Sequence, residues 1–138
     1  MATVLSLTPC KTLSITSTPL LSLSLGVNSA IVNAANVGCL GGGGVDGAIT
    51  HKGGARLRTE REALPVLGRY RGGEIRCKEG SAVVTGRQGE LYPWGSDFCI
   101  HAVGPNYWNY EGLEEKADKL LQGAYTAALS RAKEVSKT

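Results

Sequence analysis

The residues best placed to do chemistry lie in two short blocks, Ala30-Ile-Val-Asn-Ala-Ala-Asn36 and Leu40-Gly-Gly-Gly-Gly-Val-Asp-Gly-Ala-Ile49. The first reads as a short buried strand that delivers two asparagines, Asn33 and Asn36, to its C-terminal end. That is the end at which α/β proteins bind ligands. Gly41, Gly42, Gly43 and Gly44 then offer backbone N–H groups with no side chain in the way. The helix predicted to open near Val45 adds the positive end of its dipole. Together these make a seat for a pyrophosphate or another anion. Asp46 is out of keeping with such a seat, because an acid repels the anion. It is expected to turn toward something else, a hydroxyl group or a water, and with Asn36 across the loop it could hold a sugar and a nucleophilic water. The plainer alternative makes Asp46 a helix-capping acid worth about 1 kcal/mol and Asn36 a turn residue. Composition alone leaves both open.

Other glycine signatures fit less well. Gly42-Gly43-Gly44-Val45-Asp46-Gly47 satisfies G-x-G-x-x-G after a strand, but a dinucleotide-binding unit needs a second strand ending in an acid about 20 residues on. The segment around Glu60, Arg61 and Glu62 is charged and helical instead. A P-loop is excluded, since no Gly-Lys-Ser or Gly-Lys-Thr follows the glycines.

The elements that must position these residues alternate between strand and helix. Residues 12–16 and 20–25 alternate in polarity like edge strands. Residues 29–34 form the strand before the glycines, and the helix from Val45 is expected to stop at Gly53-Gly54. A second, charged helix is predicted over 59–67, with Pro65 awkward for it, then a basic, glycine-punctuated connection over 69–80. Residues 81–85 and 98–103 read as strands, the latter ending at Gly104-Pro105. In the last helix Leu113, Ala117, Leu120, Leu121, Ala124, Ala128, Ala132 and Val135 share one face. Its early Glu114 and Glu115 and late Lys133 and Lys137 suit the helix dipole. Strands alternating with helices argue an α/β sandwich. His101 reads as a buried, satisfied histidine, His51 as a surface residue, and Tyr107, Trp108 and Tyr110 as core or staple packing.

Composition sets wider bounds. A chain of 138 residues fits one domain, and 42% hydrophobic with 20% charged residues is ordinary globular usage. The net charge of +3 does not indicate nucleic acid. Residues 52–87 carry nine Lys and Arg against four Glu, a local excess read either as a solvated face or as a field that steers an anion. Cys10, Cys39, Cys77 and Cys99 are too far apart in sequence for a C-x-x-C pair. With His51 and His101 the only histidines, no structural metal site is expected. Scattered thiols suit a reducing intracellular compartment, cytoplasm or nucleus. No apolar run of 18 residues occurs, so no membrane span is expected. The first 29 residues hold no acid and are rich in Ser, Thr and Leu. That leaves a plastid-type targeting peptide open beside the edge-strand reading. Residues 1–11 are taken as flexible or targeting-like, and 12–138 as the folded domain.

Residues 31–36 and 40–49, together with Ile100-His-Ala-Val-Gly-Pro105 and the weaker run at 77–85, resemble the signature blocks of the macrodomain family, in particular its MacroD-type branch. The resemblance implies a three-layer α/β/α sandwich with a mixed central sheet. It implies binding of ADP-ribose, and hydrolysis of mono-ADP-ribosyl esters on proteins or of O-acetyl-ADP-ribose. The alternatives it leaves are a non-catalytic ADP-ribose reader and an inactive short form. By this resemblance Asn36 holds the distal ribose and Asp46 places or activates the attacking water. Gly41, Gly42, Gly43, Gly44 and Val45 cradle the phosphates, Asn33 and Ala34 sit beside the ribose, and no cofactor or metal is required. The implied partners are ADP-ribose or an ADP-ribosylated protein.

Three departures accompany the resemblance. No acid precedes Asp46, so the family's early Gly-Asp-Ile-Thr finds only Leu13-Ser14-Ile15-Thr16. Thr50 stands where the branch has histidine. The family continues past the long helix with a strand and a second glycine-containing loop, so the C-terminal part of the fold is expected to be missing. An unpaired sheet edge open to self-association would follow.

Overall fold

The computed structural model describes residues 2–8, 11–23 and 25–136. The readings of Cys10 and Lys137 lie outside the described residues. In chain order the elements are β1 (Ala2–Thr8), β2 (Lys11–Thr16), a 3-10 turn (Leu20–Ser22), β3 (Gly26–Ala34), α1 (Gly44–Glu62), β4 (Gly68–Tyr70), β5 (Gly73–Ile75), β6 (Ser81–Gly86), β7 (Ser96–Val103), a second 3-10 turn (Tyr107–Tyr110) and α2 (Glu114–Val135).

Three strands build the central sheet in the order β3-β7-β6. β3 runs parallel to β7, with Ile31 opposite Cys99 and Asn33 opposite His101. β6 is antiparallel to β7 and sets Val83 opposite His101. The sheet is therefore mixed. β7 is buried along almost its whole length, as a central strand covered on both faces must be. Because side chains alternate across a strand, Ile31, Asn33, Cys99 and His101 share one face, while Ala30, Ile100 and Ala102 share the other. α1 covers the first face through Ile49 and Leu57, joined by Tyr92 and Trp94. α2 covers the second through Ala128 against Ala82 and Ile100. Helix, sheet and helix make the three layers expected of an α/β/α sandwich.

α1 places the site. It runs on past the expected stop: Gly54, at φ 60° and ψ −150°, bends the helix rather than ending it. That conformation belongs to glycine. Along the bent helix Asp46, Ile49, Gly53, Leu57 and Arg61 form one buried stripe. Gly53 gives Leu57 its place, since a Cβ there would lie 2.5 Å from Leu57 Cδ2. The helix ends at Glu62, short of the predicted 67, because Pro65 disfavours the helical region at the residue before it.

Other elements differ from expectation. Residues 20–22 form a 3-10 turn after Pro19, not a strand, and Leu20 and Leu21 pack against the core under α1. The basic connection holds a small hairpin, β4 with β5. β1 and β2 pair as a separate antiparallel ribbon, so residues 2–8, read as flexible, are extended and paired. All of β2 is exposed. On α2 only Ala117, Ala124 and Ala128 are buried. These small residues seat the helix close to the sheet, leaving Leu113 and Leu121, expected on the same face, exposed at its flank.

Candidate functional site

The loop between β3 and α1 is shaped by Asn36. Its Nδ2 donates to the Gly41 carbonyl at 2.9 Å, and its Oδ1 accepts from the Cys39 N–H at 3.1 Å. Gly41 and Gly44 have φ of 132° and 59°, the left-handed region that favours glycine. Gly43 is different. Its φ is −93°, and a Cβ there would meet nothing within 4 Å. The N–H groups of residues 42–45 have no partner among the described residues, as expected at a helix N-terminus. The loop thus presents exposed donors at the positive end of α1, the property an anion seat needs.

Asp46 lies beneath this loop, 2% exposed. Its Oδ1 accepts from Arg61 Nη1 at 2.8 Å, Asn33 Nδ2 at 3.0 Å and Thr50 Oγ1 at 3.2 Å. Among the described residues its Oδ2 accepts only from Arg61 Nη2, at 3.4 Å. That less occupied oxygen faces the loop, since a Cβ on Gly42 would lie 3.4 Å from it and 3.3 Å from Asn36 Nδ2. Burial alone would raise the acid's pKa, yet the bonds from Arg61, Asn33 and Thr50 and the charge of Arg61 hold it below the ordinary carboxylate range. Asp46 is therefore an anion, and a weak base. Removing one partner of such a buried pair costs about 3–5 kcal/mol, because the other charge is left uncompensated.

The network continues inward. Asn33 Nδ2 also meets His101 Nδ1 at 3.0 Å, and His101 Nε2 meets Thr85 Oγ1 at 2.9 Å. Tyr92 OH lies 3.0 Å from Thr85 Oγ1 and 2.9 Å from Glu60 Oε1. Burial, with the charge of Arg61, pushes the His101 pKa down to about 3, so the ring is neutral. Since the Asn33 amide is the donor, Nδ1 accepts and the ring proton sits on Nε2. Asn33 Oδ1 is buried and has no hydrogen-bond partner among the described residues.

Two clefts of about 310 Å3 each open at this end of the sheet. One is lined by Asn33, Ala34, Val45, Leu121 and Tyr125. The other is lined by Asn36, Glu79, Pro105, Asn106 and Asn109. The fold thus gathers Asn33, Asn36, residues 41–45 and Asp46 at the C-terminal end of β3. It turns Asp46 inward, however, toward Arg61, a partner the sequence reading did not name. Only part of the signal was in the sequence: continuing the apolar stripe past Gly53-Gly54 puts Arg61 in line with Ile49 and Leu57, but its approach to Asp46 depends on the bend at Gly54. The basic stretch is largely paired, through Arg56–Glu60, Arg58–Glu62, Arg61–Asp46 and the two partners of Glu74, Arg69 and Arg76. The aromatic cluster is not core, since Trp108 is 90% exposed. No group of three or more metal-ligating side chains occurs among the described residues.

Comparison with known proteins agrees with this geometry. The profile of the Macro domain family matches residues 32–137. A macro domain-containing protein of Caldanaerobacter subterraneus subsp. tengcongensis is 45% identical over 105 residues, 76% of this chain and 53% of the relative. A protein named O-acetyl-ADP-ribose deacetylase 1 from Pantoea vagans is 47% identical over 96 residues, 70% of this chain and 48% of the relative. The chain spans about half the length of these curated relatives. Among solved structures, the Oceanobacillus iheyensis macrodomain with ADP superposes with a TM-score of 0.71 at 33% identity, covering 96% of this chain and 63% of that one. The three layers, the glycine loop and the family profile converge, and the chain belongs to the Macro domain family.

Proposed function

We propose that this chain binds ADP-ribose and hydrolyses the ester that joins it to an acyl group, on a protein side chain or in O-acetyl-ADP-ribose. The observation that carries the reading is the loop of residues 41–44, whose free N–H groups lie at a helix N-terminus between Asn36 and Asp46. In this reading the loop receives the diphosphate. Asn36, exposed at the loop, meets ribose hydroxyls, Asn33 holds Asp46 from within through its amide, and Asp46 Oδ2 orients the attacking water. A carboxylate held below its usual pKa is better suited to orienting a water than to removing its proton. Backbone donors stabilise charge that develops during attack. The names of the Pantoea relative and of the ADP-bound structure support the ligand class.

A second reading, a reader of ADP-ribose without turnover, is favoured by one observation: Asp46 is buried and already paired. Calorimetric titration with ADP-ribose and with NAD, followed by a turnover assay on O-acetyl-ADP-ribose, separates the two. ADP-ribose binding, with turnover falling about a hundredfold in an Asp46→Ala variant that still unfolds cooperatively and binds ADP-ribose, supports the enzyme. Binding with no turnover supports the reader. Equal affinity for NAD and ADP-ribose would reject both.

A further inference from the structure

Arg61 is 1% exposed, yet it lies 15 residues after its partner Asp46 on the same helix. On a straight helix that separation is roughly 22 Å. The bend at Gly54 closes the distance. From its inward position the guanidinium reaches both ends of the glycine loop. Its Nε donates to the carbonyl of Cys39, just before the loop. Its Nη1 donates to Thr50 Oγ1 at 3.0 Å and to Asp46 Oδ1 at 2.8 Å, just after it. The loop backbone rests on this cluster: a Cβ on Gly41 would lie 3.3 Å from Thr50 Oγ1, and one on Gly42 3.4 Å from Asp46 Oδ2.

We propose that Arg61 is a positioning residue, a clasp beneath the glycine loop that fastens its entry at Cys39 and its exit at Asp46 and Thr50. It fixes both the shape of the anion seat and the direction of Asp46 Oδ2. This deepens the functional reading above and rests on it for the identity of the ligand. The planar fork is essential, because one group must donate in three directions at once. Lysine carries its three donors on one terminal nitrogen, so it cannot place them at the separated Nε, Nη1 and Nη2 positions that Arg61 uses. The titratable groups facing Asp46 are Arg61 on α1, Cys39 on the loop, and His101 and Cys99 on β7. Among these Arg61 is the cation, since His101 is neutral.

The test uses Arg61→Lys, which keeps the charge without the fork, and Arg61→Gln, which keeps a donor without the charge. Arg58→Lys, exposed on the same helix, is the control. Folding is verified by cooperative urea unfolding. Three results are expected. ADP-ribose affinity falls about tenfold or more in both Arg61 variants. The amide resonances of residues 41–44 shift in the ligand-free protein, and the Asp46 carboxyl, followed by carbon NMR, titrates at higher pH in Arg61→Gln. Arg58→Lys leaves all three unchanged. Wild-type affinity with unmoved loop amides in a folded Arg61 variant would overturn the clasp. If Arg61→Gln does not fold, Arg61→Lys decides by the same affinity and amide readings. If the unaltered chain binds no ADP-ribose, the functional reading falls, while the loop amides and the Asp46 titration still decide for or against the clasp.

Discussion

Gly43 is the glycine of the loop that the fold does not require. Its φ of −93° suits any residue, and open space surrounds the position of a Cβ. A side chain there would harm only something arriving from outside. Gly43→Glu is therefore expected to leave the unfolding free energy measured in urea within about 0.5 kcal/mol of the original, as for an ordinary surface substitution. Its bulk and negative charge should abolish ADP-ribose binding. A folded variant of unchanged affinity, measured by calorimetry, would show that the diphosphate does not sit on this loop. Asn36 and the glycines were legible in the sequence because their chemistry is local: a strand end, free N–H groups and a helix start. The partner of Asp46 was not, since pairing across 15 residues depends on the path of the backbone between them. The same holds for Cys39 and Cys77, far apart in sequence and packed in one cluster with Val103.

At the scale of the element, α1 carries the difference between expectation and structure. Two adjacent glycines read as a stop, because Gly commonly ends a helix in the left-handed region. Gly54 does take positive φ, but its ψ of −150° turns the chain into a second helical run rather than a loop. Leu57 and Arg61 then continue the buried stripe begun by Asp46 and Ile49, and burial of that stripe outweighs the local break. Gly54→Ala is expected to cost about 1–3 kcal/mol, the scale for a non-glycine residue held in that region. It would be seen as a lower urea midpoint with an unchanged slope. Because the bend brings Arg61 to Asp46, the variant should also weaken ADP-ribose binding without touching the loop. A stable variant of full affinity would show that the bend does not hold the site. The strands were easier to read. β6 and β7 lie within a residue or two of the expected bounds, since buried apolar runs between glycines leave little choice. The 3-10 turn at 20–22 was misread as a strand because alternation in a short window carries no information about Pro19.

For the molecule as a whole, the buried ionisable groups predict acid sensitivity. His101 ordinarily titrates near 6.5 and is pushed down to about 3 by burial. The unfolded chain therefore takes up a proton that the folded chain refuses between these values, and stability falls as pH drops from 6.5 toward 3. Asp46, despite its burial, is held below the ordinary carboxylate range by Arg61, and Asp97 by the N–H groups of Asn28, Gly89 and Ser29. Their contribution is present above the unfolded carboxylate value and is lost as pH falls through the folded one, steepening the decline below about pH 4. Urea unfolding at pH 7.5 and pH 5 should differ by about 2 kcal/mol, on the scale of 1.4 kcal/mol per pH unit per proton. Equal midpoints would mean that the His101 site admits the proton. The sheet makes the last prediction. β3 pairs with β7 on one side and with no strand on the other among the described residues. Val27 and Val32 on β3 are exposed, as are Val45 at the start of α1 and Leu121, Tyr125 and Leu129 along α2. An open edge offers backbone donors and acceptors to another strand, and an apolar patch beside it adds a driving force for contact. The chain is expected to associate in a concentration-dependent way in sedimentation experiments and to bind a hydrophobic dye. Val32→Lys, which sets a charge on that edge, should reduce both signals. A dye-negative monomer at every concentration would show that the β3 edge does not drive association.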